Sequence, residues 1–208
     1  MKNVALPMSE KTARKLALGE IVSVSGLLFT GRSRFHIRAV EEGIYPPIDY
    51  ERINCFFHVG PVMRKTDGGW EVVSCEPTSS IRFERYGADV VEKFRLRTLI
   101  GKTTMGPRTA AALKKEGGVY LSKIGLSGNI LRGRIRKVHG VHFLDELGSA
   151  EATWIYEVEE FGPFFVAIAA DGRNYFEELA ADAAVAMADV EKQLGIAPDY
   201  AFTEVNAG

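Results

Sequence analysis

The sequence predicts an α/β fold with mixed sheet layers and flanking helices. Three observations carry that expectation: short runs rich in Val, Ile, Leu and Phe alternate with helical segments, glycines and prolines punctuate the junctions, and a long Ala-rich amphipathic stretch lies near the end. At 208 residues, with 46% hydrophobic and 25% charged positions, the chain can bury a substantial core. No repeat, low-complexity tract or Pro/Gly/Ser linker divides it, so residues 1–208 read as one domain.

Ser9 is placed to cap a helix reaching about Leu18, where Gly19 ends it, and Glu20–Thr30 then reads as a strand rich in Ile, Val and Leu. Gly31-Arg32-Ser33 leads into a helix ending near Gly43. Strands follow at Asn54–Val59 and Gly69–Cys75, and the Asp-Gly-Gly core of the Lys65–Gly69 turn predicts that they form a hairpin. A helix near Ala88–Phe94 precedes a strand at Leu96–Ile100. Pro107 suits the first position of a helix running to Lys115, stopped by Gly117-Gly118. Strands near Val119–Ile124, Arg136–Phe143, Thr153–Val158 and Phe164–Ala169 come next, then a helix from about Tyr175 to Leu194. Periodicity does not give strand order.

Composition narrows the function. Lys plus Arg number 26 against 27 acidic residues, so no basic excess points to nucleic acid or a membrane surface. The basic run 131–137 lacks interleaved aromatics and reads as a solvated loop or a subunit contact. No segment approaches the roughly 20 apolar residues that span a bilayer, and the polar start has no signal-peptide core, so the expected location is cytoplasmic. Cys55 and Cys75 are too few for a disulfide framework or to ligate a four-iron cluster. His139 and His142 fall on opposite sides of a strand and make no metal pair.

The chemistry gathers where glycines and prolines interrupt apolar runs: TGRSRFH at 30–36, FHVGP at 57–61, CEPTSSIRF at 75–83 and GKTTMG at 101–106. Each follows a predicted strand, where polar side chains can converge while a sheet fixes their positions. Arg32, Arg82 and Lys102 would offer cations to an anion, and a planar guanidinium matches a carboxylate bidentately. A small dicarboxylate or a phosphate would fit. GKTTMG lacks the first glycine of a Walker A loop, which sets the nucleotide reading aside.

These segments resemble, in order and from about Leu6 to Phe176, the β (C-terminal) domain of the iron–sulfur class I fumarase and L-tartrate dehydratase family. The family's R-D-x-x-H-K-R resembles Arg32 to Arg38, its H-x-G-P resembles His58 to Pro61, and its G-P-T-T-S-x-R resembles Glu76 to Arg82. Its G-K-G-G-M-G resembles Gly101 to Gly106, and its E-x-G-x-x-E-A-x-W resembles Glu146 to Trp154. The resemblance implies a swivelling β/β/α domain that closes over a substrate held at a [4Fe–4S] cluster on a partner α subunit, in an α2β2 heterotetramer, with reversible hydration of a dicarboxylate double bond as the reaction. It assigns the proton-transferring base to Thr78, with Arg82 and Lys102 supporting catalysis and Arg32, Arg82, Lys102, Ser79 and His36 binding substrate. No metal ligand is expected in this chain.

Several positions depart from the family pattern. Ser33 stands where an aspartate is expected, Thr103-Thr104 replace two glycines, and Ala169 replaces an aspartate in the 169–174 segment. A tighter or more polar pocket follows, and with it either a different diacid or a lost turnover. A catalytically impaired regulatory or scaffold subunit and a stand-alone small-anion-binding module therefore stand beside the hydro-lyase.

Overall fold

A computed structural model of the chain describes residues 1–125 and 128–196. Its strands are β1 (Lys2–Ala5), β2 (Ile21–Gly31), β3 (Cys55–His58), β4 (Val62–Thr66), β5 (Gly69–Ser74), β6 (Thr98–Gly101), β7 (Val119–Lys123), β8 (Ile135–His142) and β9 (Thr153–Ile168). Strands β3 and β6 are buried at every residue, as expected of parallel strands covered on both faces.

The seven-stranded sheet runs β1-β2-β3-β6-β7-β9-β8, with β1, β2, β3, β6 and β7 parallel and β9 antiparallel to β2, β7 and β8. Because β9 pairs with both β2 and β7, the sheet closes on itself around Tyr156, Phe161, Phe164, Leu121 and Ile100. The expected mixed α/β architecture with flanking helices is what folds. Helices are α1 (Glu10–Ala13), α2 (Ser33–Ile37), α3 (Glu84–Phe94), α4 (Pro107–Glu116), α5 (Gly128–Arg132), α6 (Leu144–Leu147) and α7 (Tyr175–Gln193).

Local signals acted as read at several ends. Ser9 Oγ accepts from the Thr12 amide at 3.1 Å, Pro107 opens α4, and Gly117 closes it with φ 64°. Helix α1 is shorter than expected: buried Leu16 drops into the core, and Gly19 donates to the Val166 carbonyl at 2.9 Å, drawing the chain into the sheet.

Two strand expectations need correction. The KTDGG turn does form a hairpin, but it joins β5 to β4, whereas Asn54–Val59 supplies β3 to the parallel sheet. Exposed, charged β4 lacks the apolar run that marks a strand, while buried Cys55–His58 is too apolar for a solvated hairpin. The strands expected at Thr153–Val158 and Phe164–Ala169 form one strand, β9, which absorbs the polar interruption through irregular pairing near Glu160, where φ is 48°.

Two units are distinguished, Met1–Tyr175 and Phe176–Gly208. The first carries every described strand. The second holds the body of α7, and residues 197–208 of the expected domain lie outside the described residues.

Candidate active site

Parallel register aligns the strand ends that carry the motifs. Gly31 pairs with His58, Phe57 with Ile100 and Gly101 with Ser122, so the loops after β2, β3 and β6 leave one edge together. The loop holding Thr78 is tied to the same edge: the Thr78 amide donates to the His58 carbonyl at 2.8 Å, and the Ser80 amide to the Lys102 carbonyl at 3.0 Å. Ser79 and Lys102 form an isolated parallel bridge, and Val59 bridges Pro77. Backbone hydrogen bonding thus brings Arg32, Thr78, Ser79, Arg82 and Lys102 to one rim.

Each side chain on that rim has a definable setting. Arg82 Nη2 lies 3.4 Å from Thr78 Oγ1, close enough to favour negative charge on that oxygen. Arg32 lies against Gly60, where a β-carbon would fall 2.8 Å from the Ala150 carbonyl and 3.0 Å from the Arg32 Cδ. Its Nη1 sits 3.7 Å from Glu151, and its buried Nε has no hydrogen-bond partner among the described residues. The Lys102 side chain is exposed and ion-paired to no described residue. Thr103 follows with φ 67°, a left-handed conformation that β-branched residues rarely adopt. Its hydroxyl donates to the Lys102 carbonyl at 2.5 Å, and Thr104 Oγ1 donates to Asn174 Oδ1 at 3.1 Å. A cavity of about 240 Å³ lined by Ser33, Ile37, Arg82, Phe83, Arg85 and Tyr86 adjoins Arg82.

His36 lies apart from these groups. It is fully buried, stacked on Phe83 at 4.5 Å, with neither ring nitrogen hydrogen-bonded to a described residue. Burial, and secondarily the nearby His58, hold its pKa well below the ordinary value, so the ring is neutral.

Sequence reading gave no role to Glu146, Glu151, Ser80 or Tyr120. Glu151 Oε2 accepts from the Arg34 amide at 2.9 Å, and Glu146 pairs with Arg38 at 2.5 Å. These are the two acidic residues of the Glu146–Trp154 motif, so the signal was present without a reason attached. Three arginines of the basic run pair internally, Arg132 with Glu71, Arg134 with Glu160 and Arg136 with Glu159.

A profile of the fumarase C-terminus family matches residues 1–179. The chain belongs to that family. It is 39% identical over 156 residues, 74% of its length, to a Geobacillus stearothermophilus protein named provisionally as a class I fumarate hydratase, and it spans only 30% of that longer protein. It is 31% identical over 175 residues to a Methanocaldococcus jannaschii protein named, again provisionally, as the β subunit of L(+)-tartrate dehydratase, covering 83% of this chain and 89% of that one. The Escherichia coli L(+)-tartrate dehydratase β subunit is 30% identical over 178 residues, 85% of this chain and 87% of that subunit.

The donor set of this fumarase C-terminus member does not fit an iron–sulfur cluster. Burial pushes the Cys55 thiol up, and that of Cys75 up to about 12, which disfavours the thiolates a cluster needs. Cys75 Sγ instead contacts the Gly128 carbonyl at 3.7 Å, and no three His, Cys, Asp or Glu side chains converge among the described residues.

Proposed function

We propose that this chain is the β subunit of an iron–sulfur-dependent hydro-lyase that reversibly hydrates a small dicarboxylate of the fumarate or tartrate type. The cluster is assigned to an α partner, with α2β2 as the working stoichiometry and the cytoplasm as the site of action. The observation that carries the reading is the shared rim, on which two hydroxyls and three cations stand on loops gathered at one edge of the sheet. The family's two named reaction types, fumarate hydration and tartrate dehydration, both act on diacids.

Arg32, Arg82 and Lys102 would bind the two carboxylates, each charge-assisted hydrogen bond contributing about 1.5–3 kcal/mol. Arg82 and Lys102 are exposed and Arg32 is partly so, which leaves their cationic ends open to a ligand. Ser79 adds a hydroxyl beside them, and His36 supports the helix that follows Arg32 from within the core.

Thr78 is the proposed base. In the dehydration direction its deprotonated oxygen takes the carbon-bound proton, and in hydration it returns that proton to the carbon that does not receive hydroxide. A threonine oxygen can carry negative charge only beside cations in a site shielded from water, and Arg82 at 3.4 Å supplies one.

The deciding experiment is anaerobic co-expression with an α subunit carrying the cluster cysteines, followed by absorbance assays with fumarate, mesaconate and tartrate. Turnover that disappears in Thr78→Ala supports the reading. A stable complex that turns over none of them overturns it in favour of an impaired paralogue, and failure to pair with any α chain favours a stand-alone anion-binding module.

A further inference from the structure

Behind the Thr78 and Lys102 loops lies a buried polar cluster with no part in the proton transfer itself. His58, Ser80 and Tyr120 are fully buried, and His58 Nδ1 lies 2.8 Å from Ser80 Oγ. That Ser80 hydroxyl reaches the Thr78 carbonyl at 3.4 Å, and the Tyr120 phenol donates to the Lys102 carbonyl at 3.2 Å while also hydrogen-bonding Ser80. With the Ser80 amide already on the Lys102 carbonyl, one residue touches the backbone of both loops. The three groups meet only because residue 101 is glycine: a β-carbon there would fall on the Ser80 hydroxyl and 2.6 Å from the Tyr120 oxygen.

Counting protons gives each bond a direction. A carbonyl can only accept, so the Tyr120 hydrogen goes to Lys102. The Ser80 hydrogen can go to the Thr78 carbonyl, to the Tyr120 oxygen or to His58 Nδ1, and the histidine tautomer decides among them. The setting of the other ring nitrogen favours a proton on Nδ1, with Ser80 presenting a lone pair to it. The opposite tautomer would leave an N–H at Nε2, which is buried with no partner among the described residues, and a buried orphan donor is disfavoured more than a bare acceptor.

We propose that Ser80, held from behind by His58 in its Nδ1–H form and by Tyr120, is the positioning residue that fixes the Thr78 and Lys102 loops relative to one another. This rests on the reading of Thr78 as base and Lys102 as carboxylate ligand, and names what holds them in register.

Nitrogen-15 NMR of the full chain reports the His58 tautomer directly, and amide exchange reports whether the Ser80 N–H stays bonded. The wild type should show protonated Nδ1, and Ser80→Ala should release that preference and speed exchange at residues 78–80. In the α–β complex, folded Ser80→Ala should lower kcat by about tenfold or more with KM changed less than about threefold, since the base is displaced more than the binding cations. Tyr120→Phe, which removes one oxygen, should instead raise KM through Lys102. Protonated Nε2 in the wild type, or a folded Ser80→Ala complex with unaltered kcat, overturns the proposal. If Ser80→Ala does not fold, an unchanged KM in Tyr120→Phe does so. Should the wild-type complex turn over no diacid, the functional reading fails, while tautomer and exchange still decide whether this cluster holds the two loops.

Discussion

Acidification should destabilise this protein through two histidines before its carboxylates titrate. His36 and His58 are fully buried with ring centroids 5.1 Å apart, enclosed by Phe35, Phe56, Phe83 and Tyr86, and among the described residues only Ser80 hydrogen-bonds either ring through its side chain. Burial lowers both pKa values, that of His58 to about 3. A histidine kept neutral in the fold and free to charge when unfolded, near pH 6.5, means that the unfolded chain binds more protons. Stability is therefore fully present above about pH 6.5 and is lost as pH falls toward the folded values. At about pH 5.5 each ring kept neutral costs about 1.4 kcal/mol, so the pair removes about 2.8 kcal/mol, a sizeable part of a domain's stability. Urea unfolding followed by the fluorescence of buried Trp154, at steps between about pH 7 and 5, should show a slope approaching about 2.7 kcal/mol per pH unit. Half-buried His142 is lowered too and adds in the same direction, so the decisive comparison is with His36→Phe. That variant removes two unpartnered ring nitrogens from an aromatic stack, and should lower the slope by about 1.4 kcal/mol per pH unit at little cost near pH 7. A His36→Phe slope equal to that of the wild type would refute the reasoning.

Thr78→Ala should reduce turnover by about 100-fold or more while leaving assembly with the α subunit intact, measured by initial rates and size-exclusion chromatography. Lys102→Met should raise the KM for a diacid by about tenfold or more, because it removes a charge-assisted contact, and its urea midpoint should match the wild type. Glu151→Gln should loosen Arg32 and raise KM several-fold, with stability changed by less than about 1 kcal/mol because the pair is partly exposed at 3.7 Å. Thr103→Gly should stabilise the chain by about 0.5–1 kcal/mol, visible as a higher Tm, since relief of a left-handed β-branched residue outweighs the added freedom of glycine when unfolded.

Much of the fold was legible because its signals are local. A capping Ser9, Pro107 at a helix start and Gly117 at a helix end act through neighbouring backbone, and each behaved as read. The errors arose where partners are distant. Nothing in Asn54–Val59 says whether it pairs with Gly69–Ser74, only a short turn away, or with Thr98–Gly101, forty residues on, and its burial on both faces decided for the latter. Charged Val62–Thr66 had no apolar pattern to reveal it, and the closure of the sheet through β9 depends on pairing a strand near the start of the chain with one near its end. Among the site residues, charge and strand-end position were visible for Arg32, Arg82 and Lys102. The partners that hold them were not, because Glu151 and Tyr120 are remote in sequence and a buried tyrosine in an apolar strand reads as core.

The departures from the family pattern now acquire a physical meaning. An arginine deprived of an acidic neighbour at Ser33 would be expected to swing free, yet Glu151 approaches Arg32 from another segment and holds the adjoining Arg34 amide. Thr103 and Thr104 would be expected to make the pocket more polar, yet both hydroxyls already bond within the chain, Thr103 to the Lys102 carbonyl and Thr104 to Asn174 and the Met105 carbonyl. None of the changes removes Arg32, Arg82, Lys102 or the Thr78 hydroxyl, so the cations proposed to bind a diacid stay in place. If the proposed reading holds, the diacids to compare are ones of equal charge and unequal bulk.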